Sequence, residues 1–231
     1  MAWHKDEDGL AAKEKLQRQL EQRKAKGEEI RLFVPPKGKK LATEFWGQAW
    51  QRHLEGLADY ESRLPRGRSY LRQGNIYNLE IARGLVTAEV AGEYMYEVSI
   101  RFTTLSGEKW DSIKQACAGQ ITSMLDLLSG KVADGVTRVI LDEDYTLFPR
   151  QKDISISCNC PDWAGLCKHS AAVLYAVGLE FDRAPELFFT LRGVDHRQLI
   201  SAAEKSISES SVGDLTIIPD DQIAGLFDID I

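Results

Sequence analysis

The sequence lacks the long apolar runs of a membrane protein and the leader of a secreted one. No stretch approaches the roughly 20 apolar residues that cross a bilayer, and residues 1–8 contain no apolar core of a secretory signal. Cysteine is also scarce, since the chain has 4 in 231 residues, and three of them lie between positions 158 and 167. A disulfide framework distributes its cysteines along a short secreted chain. We therefore expect a cytoplasmic protein without membrane contact.

The chain has no overall excess of positive charge. It contains 29 basic and 35 acidic residues, and the formal net charge of −6 excludes a basic footprint over the whole surface. The charge is uneven, because residues 1–40 are net basic and residues 201–231 are strongly acidic. Hydrophobic residues make up 43%, which suffices for a core without covalent staples.

Hydrophobic periodicity predicts an α+β fold. Apolar residues recur at helical spacing over 45–57. They alternate with polar residues in three runs between 77 and 102, which predicts an antiparallel β-meander with one buried face. With helices over 106–117 and 121–128, residues 41–130 form a sheet with packed helices.

The remaining segments are predicted from local signals. Residues 10–30 have too few apolar positions for a core face and predict a solvated helix or a disordered arm. Residues 63–72 predict a basic loop, and residues 136–141 and 154–160 predict two further strands. Three helices complete the prediction, over 170–178, 185–192 and 196–206.

Three cysteines and one histidine are spaced like the ligands of a metal ion. The pattern Cys-x-Cys-x6-Cys-x-His comprises Cys158, Cys160, Cys167 and His169. Residues two apart on a strand point to the same side, so the first two thiolates converge, and Pro161 ends that strand. Six residues let the chain turn back and place the last two ligands at the start of a helix. Three thiolates and one imidazole form a closed site for one structural zinc ion.

Other interpretations of this cluster stay open at the level of sequence. Cys158 and Cys160 could form a redox dithiol, which leaves Cys167 and His169 without a role, or the four residues could be a chance cluster of thiols. A catalytic zinc needs an open position for water, and no nearby carboxylate constellation suggests a base.

The Cys-Lys-His ending and the alanine-rich segment after it resemble the SWIM zinc finger. Further motifs resemble the bacterial SWIM zinc finger family, at residues 45–50, 59–70, 96–98 and 191–193. The resemblance implies a small ββα-like zinc module and binding to DNA or to proteins rather than catalysis. It also implies a Swi/Snf-type helicase-like ATPase as partner.

These observations divide the chain into four predicted segments. They are a basic charged arm and linker (1–40), an α+β domain (41–130), a SWIM zinc finger region with C-terminal helices (131–206) and an acidic, apolar tail (207–231).

Several basic residues are candidates for nucleic-acid contacts. They are Arg63, Arg66, Arg68, Arg72 and Lys168. Arginines interleaved with tyrosines supply phosphate contacts and stacking faces. The alternative is structural, with the arginines paired to acidic neighbours. Lys168 also offsets part of the thiolate charge.

Other prominent side chains are assigned to packing or left open. Trp46 and Trp50 lie four residues apart and predict core packing, and Cys117 predicts an inert core thiol. Trp163 is expected either to cover the metal or to project towards a ligand. Residues 226–231 alternate apolar and acidic side chains and predict an added strand or a flexible end.

The sequence thus favours a zinc-binding adaptor that is not an enzyme and takes no small-molecule substrate. It would act in DNA and protein interaction with a Swi/Snf-type ATPase. One alternative, favoured by the net charge and the acidic tail, is a pure protein-interaction module, and a thiol redox sensor is another.

Overall fold

The computed structural model describes residues 3–38, 40–57, 63–121, 123–142 and 144–201, with side chains from residue 14 onward. Within these ranges the main elements are eight α-helices and one four-stranded sheet, so the predicted α+β class is confirmed. The helices are α1 (Trp3–Ala25), α2 (Phe45–Gly56), α3 (Leu64–Arg72), α4 (Gly107–Ala116), α5 (Met124–Ser129), α6 (Asp134–Leu141), α7 (Lys168–Arg183) and α8 (Glu186–Arg192). The strands are β1 (Ile76–Ala82), β2 (Leu85–Ala91), β3 (Met95–Phe102) and β4 (Ile154–Cys158).

The sheet is antiparallel throughout, with the strand order β1-β2-β3-β4. The first three strands form the predicted meander, and Val86 of β2 lies opposite Ile100 of β3. Ile100 in turn lies opposite Ile156 of β4. This pairing brings a strand from far along the chain to the edge of the meander.

Helix α7 lies in the middle of the core. Twelve of its 16 residues are buried, which makes it apolar on nearly every side, and it packs against α2, α3 and the sheet. Trp46 and Trp50 of α2 are almost completely buried, as predicted. Their indole N–H groups donate to the carbonyl oxygens of Leu127 (3.1 Å) and Leu174 (2.9 Å), so both polar atoms are satisfied.

The predicted basic loop over 63–72 is wrong, because residues 64–72 form helix α3. Pro65 lies in the first turn of α3. Backbone N–H groups in this turn have no acceptor within the helix, so a proline there removes no helical hydrogen bond. Gly67 gives close access to α7, since a Cβ there would lie 2.4 Å from the Cβ of Ala171. Proline and glycine are typical of loops, but here the proline begins a helix and the glycine lets two helices pack closely.

The strand predicted over 136–141 is also wrong, because these residues belong to helix α6. Val136 and Ile140 are both buried and lie four residues apart. They form one helical face against the core, and this tertiary contact overrides the strand preference of β-branched side chains.

The other predictions differ mainly at element ends. α1 confirms a helix in the N-terminal arm, and Gly193 ends α8 in the left-handed conformation (φ 74°). β4 stops at Cys158, so Cys160 follows the strand. The chain is helical again over 197–201. The rest of the helix predicted to end at 206, and the tail, lie outside the described residues.

No helix in the described ranges is long and apolar enough to cross a membrane. The boundaries of the four predicted segments stay predictions.

Candidate metal centre

Four ligand side chains meet between the end of β4 and the start of α7. The Sγ atoms of Cys158, Cys160 and Cys167 and a ring nitrogen of His169 all lie within 4.8 Å of one another. All three cysteines are free thiols. The structure therefore brings together the whole set that the spacing predicted.

The edge of the sheet positions the first two ligands. Cys158 is the last residue of β4 and lies opposite Val98 of β3. Asn159 extends the pairing with β3 by two hydrogen bonds. Its backbone N–H donates to the carbonyl oxygen of Glu97 (3.3 Å), and its side-chain Oδ1 accepts from the backbone N–H of Glu97 (2.9 Å). Cys160 follows immediately, so the rigid strand edge holds both thiols.

The first turn of α7 positions the other two ligands. Cys167 caps this helix, and its sulfur accepts a hydrogen bond from the backbone amide of Ser170 (3.4 Å). Orphan N–H groups at a helix start favour negative charge, which suits a thiolate. His169 lies two residues further on, in the same turn, and is buried.

Two tyrosines enclose the imidazole of His169. Its ring centroid lies 4.5 Å from that of Tyr96 and 5.2 Å from that of Tyr70. Burial raises the pKa of Tyr70 to about 12, so this phenol stays protonated and neutral. Gly92 closes the cover, since a Cβ there would lie 2.9 Å from the Tyr70 hydroxyl and 3.3 Å from Nε2 of His169.

The geometry fits a tetrahedral zinc ion. Nδ1 of His169 lies 3.8 Å from the sulfur of Cys167 and 3.9 Å from that of Cys158. Zinc–sulfur and zinc–nitrogen bonds of ordinary length place such atoms roughly 3.6 Å apart around a tetrahedron. Nε2 is buried and has no hydrogen-bond partner among the described residues. Nδ1 is thus the nitrogen that faces the sulfurs.

The three ligand thiols differ in pKa, since that of Cys167 is lowered whereas those of Cys158 and Cys160 are raised. Hydrogen bonds from Cys158, His169 and Ser170 stabilise the thiolate of Cys167 and lower its pKa. The pKa of Cys158 is raised, because its thiol hydrogen bonds to Cys167 and is partly buried. Thiolates are the form that binds zinc. By contrast, burial raises the pKa of the predicted core thiol Cys117 to about 11, which keeps it inert.

The candidate nucleic-acid residues divide between structural contacts and open surface. Arg63 forms an ion pair with Asp162 (Nη1–Oδ2, 3.0 Å), which lies in the loop over 161–166 between the second and third ligands, here called the zinc loop. Arg68 forms a hydrogen bond with Glu55. Both arginines are thus paired with carboxylates, as the structural interpretation of these residues proposes.

Of the other three candidates, Arg66 and Lys168 form no ion pair within the described ranges. Nη1 of Arg72 donates to the carbonyl oxygen of Gly38 (2.6 Å), and Nζ of Lys168 lies 4.8 Å from the centroid of the Tyr70 ring. Arg66 is exposed. A nucleic-acid role for the five basic residues stays a prediction.

Sequence reasoning missed the tyrosine cover. The sequence patterns indicate a stacking face for Tyr70, and for Tyr96 an alternating position on a strand and part of a family motif. No local spacing links these residues to position 169, because α3 and β3 reach the histidine through tertiary packing. Trp163, which sequence left open, is fully exposed and projects from the zinc loop.

Residues 138–178 match the family model of the SWIM zinc finger. This segment is similar to SWIM zinc fingers, and the four ligands fit one structural zinc ion. The match confirms the resemblance to the SWIM zinc finger that the sequence shows at residues 158–169. The chain is also similar to the uncharacterized protein Rv2102 of Mycobacterium tuberculosis, with 31% identity over 164 residues. The aligned region covers 70% of this chain and 59% of the relative. No solved structure matches the chain.

Proposed function

We propose that this chain is a non-enzymatic, zinc-stabilised adaptor of the bacterial cytosol that contacts DNA and a Swi/Snf-type helicase-like ATPase. The observation that carries the proposal is the closed ligand set, in which four protein atoms lie within 4.8 Å of one another. Four protein ligands complete a tetrahedral zinc ion and leave no position for a reacting water. The site then stabilises a binding surface instead of performing a reaction.

Two properties of the site support a reducing compartment and a binding role. The three ligand cysteines are free thiols, and zinc-bound thiolates persist where disulfides do not form. Lys168 and Arg66 are exposed near the start of α7 and on α3. Exposed cations of this kind can contact phosphate groups.

Metal analysis and a salt titration test this proposal. Purified protein should contain one zinc ion per chain, and its affinity for a labelled DNA duplex should fall steeply as salt rises, because phosphate contacts release counterions. Zinc-loaded protein whose affinity does not change with salt would contradict direct phosphate contact. Zinc-free purified protein would favour the thiol redox alternative.

A pure protein-interaction module is the second candidate function. Trp163 favours it, because this side chain is completely exposed and tryptophan is enriched among the residues that dominate binding energy at interfaces. In a nuclease-treated extract, the wild type should then capture the ATPase while Trp163→Ala loses it and retains zinc. Equal capture by both proteins would argue against this candidate.

A further inference from the structure

A groove with four basic side chains lies where α2, α3 and residues 40–42 meet. Its volume is about 340 Å³. The basic residues are Lys40, Arg52, Arg68 and Arg72, and the amides of Gln48 and Gln51 lie beside them. Arg52 was not among the candidates drawn from the sequence.

The groove is positive within a chain that is negative overall. No carboxylate of the described residues lines it, whereas the whole chain has a formal net charge of −6. Lys40 and Arg52 are exposed, and neither forms an ion pair within the described part of the chain. Glu55 offsets the charge of Arg68, so the charges of Lys40 and Arg52 are the ones that count here. A local excess of positive charge therefore remains at this site.

Two of the guanidinium groups are held in place before any ligand arrives. Arg68 bonds to Glu55 and to the hydroxyl of Tyr175 (3.2 Å), and it stacks on the Tyr175 ring with Cζ 5.2 Å from the centroid. Arg72 lies four residues later on the same face of α3 and donates to Gly38. Because these side chains are already ordered, binding loses less conformational entropy.

The chemistry of the lining selects a polyanion. Six of the eight described lining residues have polar or charged groups, and Leu41 and Ala42 are the apolar ones. Guanidinium, ammonium and amide groups all donate hydrogen bonds to phosphate oxygens. We propose that this groove binds the phosphate backbone of DNA. The inference rests on the proposed function and assigns its DNA contact to α2, α3 and residues 40–42.

Charge variants of the full-length, zinc-loaded protein test the groove. Each of Lys40→Ala and Arg52→Ala should reduce the slope of log affinity against log salt by about 1, and the double variant by about 2. Two unrelated duplex sequences should give equal losses, because phosphate contacts carry no sequence information. Fluorescence anisotropy of labelled duplexes measures both quantities.

Two control variants separate the groove from charge in general. Arg52→Lys preserves the positive charge and should retain most of the affinity. Lys131→Ala removes an exposed cation that does not line the groove and should leave the slope unchanged. Zinc content and the thermal midpoint of each variant establish that it is folded.

The outcomes distinguish this proposal from the function on which it rests. If the wild type binds DNA and the double variant has the same slope and affinity, the groove assignment is overturned while DNA contact stands. If the zinc-loaded wild type binds no DNA, both are overturned. Inorganic phosphate is the probe for a free anion site. If it binds through Lys40 and Arg52 while DNA binding is unaffected by both substitutions, the backbone assignment is overturned.

Discussion

At the scale of single residues, the two chemical faces of His169 have different environments. Nδ1 points to the sulfurs of Cys158 and Cys167, whereas the ring lies under Tyr70 and Tyr96. The tyrosine rings exclude water from one side of the ligand. Water therefore competes less with His169 for the zinc ion, and we expect the ion to exchange slowly.

Cys160→Ser is expected to abolish stoichiometric zinc binding and to lower thermal stability. A serine hydroxyl is a poor substitute for a thiolate ligand, and structural zinc contributes on the order of 10 kcal/mol to folding. For a chain of this size each kcal/mol corresponds to about 2–4 °C in Tm, so Tm should fall by roughly 20–40 °C. Elemental analysis and calorimetry measure the two effects.

Cys117→Ala is the matched control, since it also removes one cysteine but from the core. It should lose some stability through a small cavity and retain one zinc ion. A Cys160→Ser protein that holds one zinc ion and melts unchanged would contradict the structural role.

At the scale of elements, the contact between α3 and α7 connects the core to the metal centre. Gly67 lets the two helices approach, and Tyr70, three residues later, covers His169. Gly67→Ala should destabilise the protein by about 1–3 kcal/mol, because the new Cβ meets Ala171. It should also release zinc faster to a chelator, since α3 moves away from the histidine. Urea unfolding and the rate of zinc release provide the measurements.

Gly56→Ala is the control for this substitution. Gly56 is also helical, and a Cβ there meets no atom within 4 Å. Its stability should be unchanged or slightly increased by the higher helix propensity of alanine. If both variants have the same stability and release zinc at the same rate, close packing of α3 against α7 at Gly67 is not required for either property.

The elements also show which features sequence could predict. Alternating residues such as Val86, Ala88 and Val90 specify the meander because one face of each strand is buried. Helix α3 was missed because its proline and glycine serve a helix start and a contact with distant Ala171. The ligand set follows from local spacing, but its tyrosine cover depends on packing that no local pattern encodes.

At the scale of the whole molecule, the metal centre joins the sheet edge to the central helix. Chelation should therefore increase hydrogen exchange most over residues 158–170 and in α3. The end of the β1–β2 ladder where Ala82 pairs with Leu85 should retain more protection, since only the opposite end, next to Gly92, reaches the site. Mass spectrometry with and without chelator measures this pattern. A loss that is uniform along the described elements would show that zinc holds the entire fold instead.

The position of the matched segment has a practical consequence. Residues 138–178 begin inside α6 and end inside α7. A peptide excised at those positions would contain every ligand but would lack β3, the pairing partner of β4, and both helices that bury α7. Its metal affinity would then measure an unsupported peptide, so grafting this finger onto another scaffold requires transferring its neighbours as well.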